Sequence, residues 1–390
     1  MIELWPDLRV LHFGTRPMKR IAPFLLYAAL PWAAMAQSTA PAPRMAAPSP
    51  PPPPLGALQG GWDNQAAATN AVQWQQANSR MPADAGVQWN WFRSEEAAMR
   101  SSNNGELRPQ DRQELANIAE AIKATAPNSF EYYMAEYFLA FPAPSAFNVL
   151  EAARALEPGR TELLPPLLSK AMLDGDATAL GTWSGEMEQR GLVAKGLETA
   201  ASDLLLSLPP EAVLFTNGDM DTQPVVIRQL QHRDKPEVLV VDRRLLADAH
   251  YRQRIWQQAG AGGTAPGNGP AFAAALLGAS RRPVYFALGL DRSWLAAFPG
   301  KLHAVGAVFR VGRAAPSDAA ILAANWKAMK KPLDAGPLSR NYLVPGAMLL
   351  AQLRSTGNQA HATALEQELR HMAAATGAEQ QLRQLGINLP

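Results

Sequence analysis

The residues best suited to chemistry lie in one short run, Thr216-Asn217-Gly218-Asp219-Met220-Asp221-Thr222. Two carboxylates two residues apart, with an amide and a hydroxyl beside them, suit three tasks. They can ligate a metal ion, divide acid and base roles, or hold the hydroxyls of a sugar. Asp242, which closes the next apolar run, completes a candidate ligand set of Asn217, Asp219, Asp221, Thr222 and Asp242. A nucleotide pyrophosphate is disfavoured, because two carboxylates repel phosphate. Asn217, Asp219 and Asp221 repeat the first three ligands of a calcium loop. The match then fails: Thr222 stands where that loop needs Gly, and Arg228 where it needs Glu. No metal and no cofactor are expected. The competing role is structural, since Asp219, Asp221 and Thr222 open a helix, where side-chain oxygens cap unpaired N–H groups.

Other chemistry is weaker. The serine of Gly181-Thr182-Trp183-Ser184-Gly185 has the wrong spacing for a nucleophile elbow and falls in a helical region. The glycine-rich loop 260–270 follows a helix and lacks Gly-Lys-Ser/Thr, so it reads as a flexible loop near the sheet, able to act as a lid. His12, His232, His250, His303, His361 and His371 form no close ligand pair. Arg233, Lys235, Arg243 and Arg244 alternate with acids and read as a solvated face. No complete catalytic set is present, and catalytic residues are not assigned.

The elements that must position the acidic turn are short apolar runs with helices between them. Residues 212–216, 238–241, 283–288 and 305–311 read as strands, and 225–231, 245–258 and 272–277 as helices. Strands alternating with helices imply a small, mostly parallel, Rossmann-like sheet covered on both faces, in an α/β domain over 201–313. The strands 212–216, 238–241 and 283–288 are expected to be parallel and central. Helical pairs flank this domain in sequence, over 86–200 and 314–390. Residues 130–141 and 146–156, closed by Ala-Leu-Glu-Pro-Gly, resemble a tetratricopeptide-like unit, and 342–354 with 360–374 resemble another. Trp89 and Trp91 alternate with Asn90, which suits a short extended segment.

The first 36 residues read as an export signal with its start at Met18. Lys19-Arg20 is the basic region, 21–31 the apolar core, and Ala34-Met35-Ala36 the cleavage pattern. The apolar core is too short to span a bilayer, and no later stretch is long enough. Residues 37–85 begin with a proline-rich run and read as a disordered linker, with 64–79 showing no clear period. The net charge is +2, but residues 1–36 hold four basic and two acidic residues, so the remainder is neutral. Nucleic-acid binding has no electrostatic basis. The chain has no cysteine, which excludes disulfides, thiolate metal sites and thiol nucleophiles. A periplasmic or cell-surface location is expected.

The segments AVLFTNGDMDTQPVVIRQL, KPEVLVVDRRLL, RRPVYFAL and AVFRVGR together resemble the soluble C-terminal region of a family of bacterial integral-membrane proteins. That family is common in Bacteroidota, is similar to protein O-mannosyltransferases and has a poorly defined function. The resemblance covers residues 130–377. It implies an α/β part among tetratricopeptide-like helices, with the Thr216–Thr222 turn ending the first strand. The family's multi-span membrane part has no counterpart here, so transferase activity is not implied. Gln223-Pro224-Val225 also stands where the family has aromatic residues. The expected function is an exported, non-catalytic binding or scaffold module that engages an envelope protein or glycan. The alternative is an envelope glycan-processing enzyme, a transferase or hydrolase, using Asp219 and Asp221.

Overall fold

Val213, Leu214 and Phe215 are all buried, as are Val284, Tyr285, Phe286 and Ala287. Strands buried on both faces must lie inside a sheet covered by helices. In the computed structural model they do. The structure describes residues 51–387, apart from 53, 55, 57, 61 and 104–106. The expected export signal and the first part of the expected linker lie outside the described residues. Helices come first: α1 (Asn64–Arg80), α2 (Ala85–Ser102), α3 (Pro109–Thr125), α4 (Phe130–Ala140), α5 (Ser145–Leu156), α6 (Leu164–Asp174), α7 (Ala177–Gln189) and α8 (Lys195–Leu206). The α/β part follows with β1 (Val213–Thr216), α9 (Asp219–His232), β2 (Leu239–Asp242), α10 (Ala249–Gln258), α11 (Pro270–Ala279) and β3 (Val284–Ala287). Then come α12 (Arg292–Ala296), β4 (Leu302–Ala304) and β5 (Val308–Val311). The last helices are α13 (Asp318–Ala328), α14 (Pro337–Asn341), α15 (Leu343–Ser355), α16 (Gln359–Thr376) and α17 (Glu379–Gln384). No helix among the described residues is long and apolar enough to cross a membrane.

The five strands form one sheet in the order β2-β1-β3-β5-β4. β1 is parallel to β2 and to β3, whereas β5 is antiparallel to both β3 and β4. The sheet is therefore mixed, not mostly parallel, and β2 is an edge strand. The correction comes from residues 305–311, expected as one strand. They break at Gly306, whose φ is 137°, and the chain doubles back so that Ala304 pairs with Phe309. A Cβ at Gly306 would lie 2.3 Å from the Ser207 hydroxyl, so the turn presses on the end of α8 where only glycine fits. Phe215 packs edge-on against Phe286 at 5.6 Å, and Trp294 and Phe298 extend that aromatic group.

Two stretches differ from the sequence reading. Residues 64–80, placed in the linker, form α1. Asp63 caps it by accepting from the N–H of Ala66 at 2.7 Å, and Ala67, Ala71, Trp74 and Ala77 recur on its buried side. Three of these four are alanines, which hide the period in a field of polar residues. Trp89 and Trp91 lie in α2 and not in an extended segment. Asp84 caps that helix through the N–H of Val87, and Trp89 and Phe92 point inward one turn apart. Asp203 of α8, itself buried, ties the C-terminal helices to the body. It accepts from the N–H groups of Lys330 and Lys331 at 3.0 and 2.8 Å and from the Tyr342 hydroxyl at 2.9 Å.

Candidate functional site

β2 and β3 lie on opposite sides of β1, so the crossovers diverge at the carboxyl end of β1. Open α/β sheets hold ligands at such a point. The turn 216–218 stands there, with Asp242 closing β2 beside it. All five sequence-predicted residues converge on this place, but their side chains have different roles.

Asp221 is turned inward. It is 3% exposed and both of its oxygens are occupied by the turn itself. Oδ1 accepts from the N–H of Asn217 at 3.0 Å and of Gly218 at 2.9 Å, and Oδ2 lies 3.0 Å from the Asn217 nitrogen. Burial pushes its carboxyl up to about 6; the two backbone hydrogen bonds and Arg244 oppose the rise, and the neighbouring Asp242 adds to it. Thr222 is fully buried, donating to the Thr216 hydroxyl at 2.7 Å, which in turn donates to the Val241 carbonyl. Both residues hold the turn in shape and neither faces solvent.

Asp219 and Asp242 share one cation, Arg244. The guanidinium grips Asp242, which is 1% exposed, through Nε and Nη2, and reaches Asp219 through Nη2 at 2.6 Å. Asp219 retains 35% of its side-chain exposure. Burial alone would raise its carboxyl, but the charge and hydrogen bond of Arg244, with Arg100 and Arg93 of α2 further out, hold it below the usual range. The two carboxylates in turn overcome the cost of burying Arg244 and hold its guanidinium well above its ordinary value. The cation lies 4.8 Å over the Phe141 ring at the end of α4, and the buried Tyr137 hydroxyl beside it is pushed well up, first by burial and then by Asp219. Asn217 accepts from Arg243 and from the Asp291 N–H, which joins the ends of β1 and β3.

Gly218 brings the turn up against Arg244. Its φ is 154°, and a Cβ there would lie 2.8 Å from the Arg244 guanidinium carbon. A phosphate would approach this turn and the N-terminus of α9. Here a guanidinium lies against that turn, neutralised by the chain's own carboxylates. α9 is also pinned to the helical region: Gln223 donates through Nε2 to the Pro165 carbonyl at 3.0 Å and the Ser169 hydroxyl at 3.1 Å.

Arg244 is the residue that sequence reasoning missed. Its neighbours suggested a solvated face, but the alternation of Asp242 and Arg244 is what allows a bidentate grip across a tight turn. Lys235 is also not simply solvated: it donates to the Leu205 and Leu208 carbonyls at the end of α8. The loop 260–270 is held back along α10. Gln253 bonds to Gly263 and Ala265, and the Trp256 indole donates to the Gly262 carbonyl. Arg282, just before β3, donates to the Gln258 carbonyl, so the loop leaves from the amino end of the sheet, opposite the turn. It is no lid for the turn. Ser184 is fully buried and accepts from Gln231 at 2.7 Å, a packing role. Among the described residues, no group of three or more His, Asp or Glu side chains is placed to hold a metal ion. No family model, curated protein or solved structure matches this chain.

Proposed function

We propose that the protein is an exported, non-catalytic binding or scaffold module of the cell envelope, working in the periplasm or at the cell surface. Its helical pairs are read as tetratricopeptide-like and its three parallel strands as Rossmann-like, in line with the resemblance to the extramembrane part of the membrane-protein family described above. The observation that carries the proposal is the state of the carboxylates. Asp221 is saturated by backbone N–H groups, and Asp242 and Asp219 are joined through Arg244. An acid/base pair needs two carboxyl groups within reach of one substrate. Here Asp219 faces outward and Asp221 faces the core. That weighs against the envelope glycan-processing alternative. The partner is an envelope protein or glycan.

One experiment tests both readings. Isolated envelope glycan and envelope protein fractions are immobilised and exposed to the exported chain, with retention and release of new reducing ends measured in parallel. Retention without turnover is expected. Turnover that disappears in Asp219→Asn would overturn the proposal and establish the enzyme.

A further inference from the structure

β3 ends at Ala287, and the chain leaves it through Leu288 and Gly289 against α14. A cavity of about 20 Å³ opens there, at the carboxyl end of the strand. Its floor is apolar: Ala200 and Leu204 of α8 and Ala307 before β5 are all buried. Leu288, Gly289, Leu338 and Asn341 are part-exposed and form its mouth. A Cβ on Gly289 would lie 3.0 Å from Asn341 Nδ2, 3.5 Å from the Leu338 side chain and 3.9 Å from Asp221 Oδ2. Two of these three neighbours are polar, and neither is used up. The Asn341 side-chain amide has no hydrogen bond among the described residues. Asp221 Oδ2 takes only a share of the Asn217 N–H, at 3.0 Å, and an ionised carboxylate oxygen accepts more than one bond.

We infer that this cavity takes the primary hydroxyl of a sugar, which donates to Asp221 Oδ2 and accepts from Asn341 Nδ2. One acceptor and one donor match a hydroxyl, which is both. An ammonium group only donates and would face the Asn341 donor, and a phosphate would be repelled by Asp221. The size of the cavity selects which hydroxyl enters. It has room for one water-sized group and none for a sugar ring. A hydroxyl on the ring cannot enter without its ring. A primary hydroxyl stands one carbon clear of it, and its methylene meets Ala200, Leu204 and Ala307. The place also fits, since open α/β sheets hold ligands at the carboxyl ends of their strands. The inference deepens the proposed function, on which it rests for the choice of a glycan, by naming the sugar group that is held.

The test is saturation-transfer NMR on the full chain at pH 7.5, above the value of about 6 at which Asp221 takes up its proton. Methyl glucoside should bind, with its exocyclic methylene protons receiving the most saturation. Methyl xyloside, the same ring without the hydroxymethyl arm, should not bind. Gly289→Ala places a methyl group in the cavity. Its close neighbours there are the ends of flexible side chains, and the backbone at 289 is not in the left-handed region, so the fold should persist while the glucoside signal is lost. Asn341→Ala removes a donor that holds nothing else. It should weaken binding about fivefold, the worth of one net hydrogen bond, without moving the melting temperature. Equal binding of the two glycosides, binding of neither, or a glucoside signal that survives Gly289→Ala overturns the inference and leaves an ordered water as the occupant. Should Gly289→Ala fail to fold, an unchanged affinity in Asn341→Ala overturns it instead. Envelope retention is measured separately. Retention without glucoside binding sinks this inference alone, and glucoside binding without retention sinks the envelope-module reading alone.

Discussion

Asp221 offers the sharpest test of the account of the turn. Its carboxyl is raised from 3.8 to about 6, chiefly by burial. A folded-state value above the unfolded one means that the folded protein binds more protons between these two values. The group therefore adds stability fully below the unfolded value, and that contribution is lost as pH rises through about 6. The shift is about two units, so the full contribution is on the order of 3 kcal/mol. Asn at 221 is neutral at every pH. Its carbonyl oxygen can take the place of Oδ1, which already accepts from both Asn217 and Gly218. Asp221→Asn should thus keep the turn while removing the titration.

The assay is urea unfolding of wild type and Asp221→Asn in parallel at pH 5 and pH 7.5. The stability of the variant relative to wild type should rise by roughly 1.4 kcal/mol between these values, since wild type loses most of its protonated form over that interval. Asp111, Asp219, Glu162 and Asp318 have lowered carboxyl values and act in the opposite sense, losing stability as pH falls. They are the same in both proteins and cancel in the difference. A gap that stays constant, or that favours wild type more at pH 7.5, would refute the reasoning. It would mean that Asp221 is ionised as easily in the fold as in water.

Arg244→Met should destabilise the protein by about 3–5 kcal/mol, because it leaves Asp242 buried without a countercharge, held only by the backbone N–H of residue 244. Adding Asp242→Asn should restore much of the loss, as read in a double-mutant cycle by urea unfolding. Asp203→Ala strands two backbone N–H groups and the Tyr342 hydroxyl, and should cost about 3 kcal/mol or more, seen as a lower urea midpoint. Asp219→Asn should leave the urea midpoint within about 1 kcal/mol of wild type, because Asn keeps an oxygen acceptor for Arg244 and Gln223 at a partly exposed position.

Much of this arrangement was legible in the chain because it is local. β1, α9 and β2 follow from apolar runs either side of an acidic turn; both strands fall within one residue of those expected, whereas α9 starts at Asp219, six residues before 225. Of the capping expected of Asp219, Asp221 and Thr222, only Asp221 bonds to backbone N–H groups, three and four residues away; Asp219 pairs with Arg244 and Thr222 donates to Thr216. What failed was non-local or masked by composition. Val308–Val311 folds back on β4 at Gly306, which presses on Ser207, about a hundred residues earlier in sequence, and no local pattern records that contact. α1 was hidden because alanine makes up most of its buried side, and alanine scarcely marks a period.

Arg244 joins these two kinds of information. Its grip on Asp242 is local, two residues back, but its value to the fold comes from Asp219, twenty-five residues away, and from Phe141 in another region. One half-buried guanidinium thus connects the end of β2, the start of α9 and the end of α4. Arg244 has both of its charge partners within the chain, Asp242 and Asp219. Asp219, about a third exposed and near Arg93 and Arg100, is the more accessible carboxylate of the turn. If the proposed binding role is exercised at this end, the partner meets the surface around Asp219, whose carboxyl Arg244 holds below its usual range.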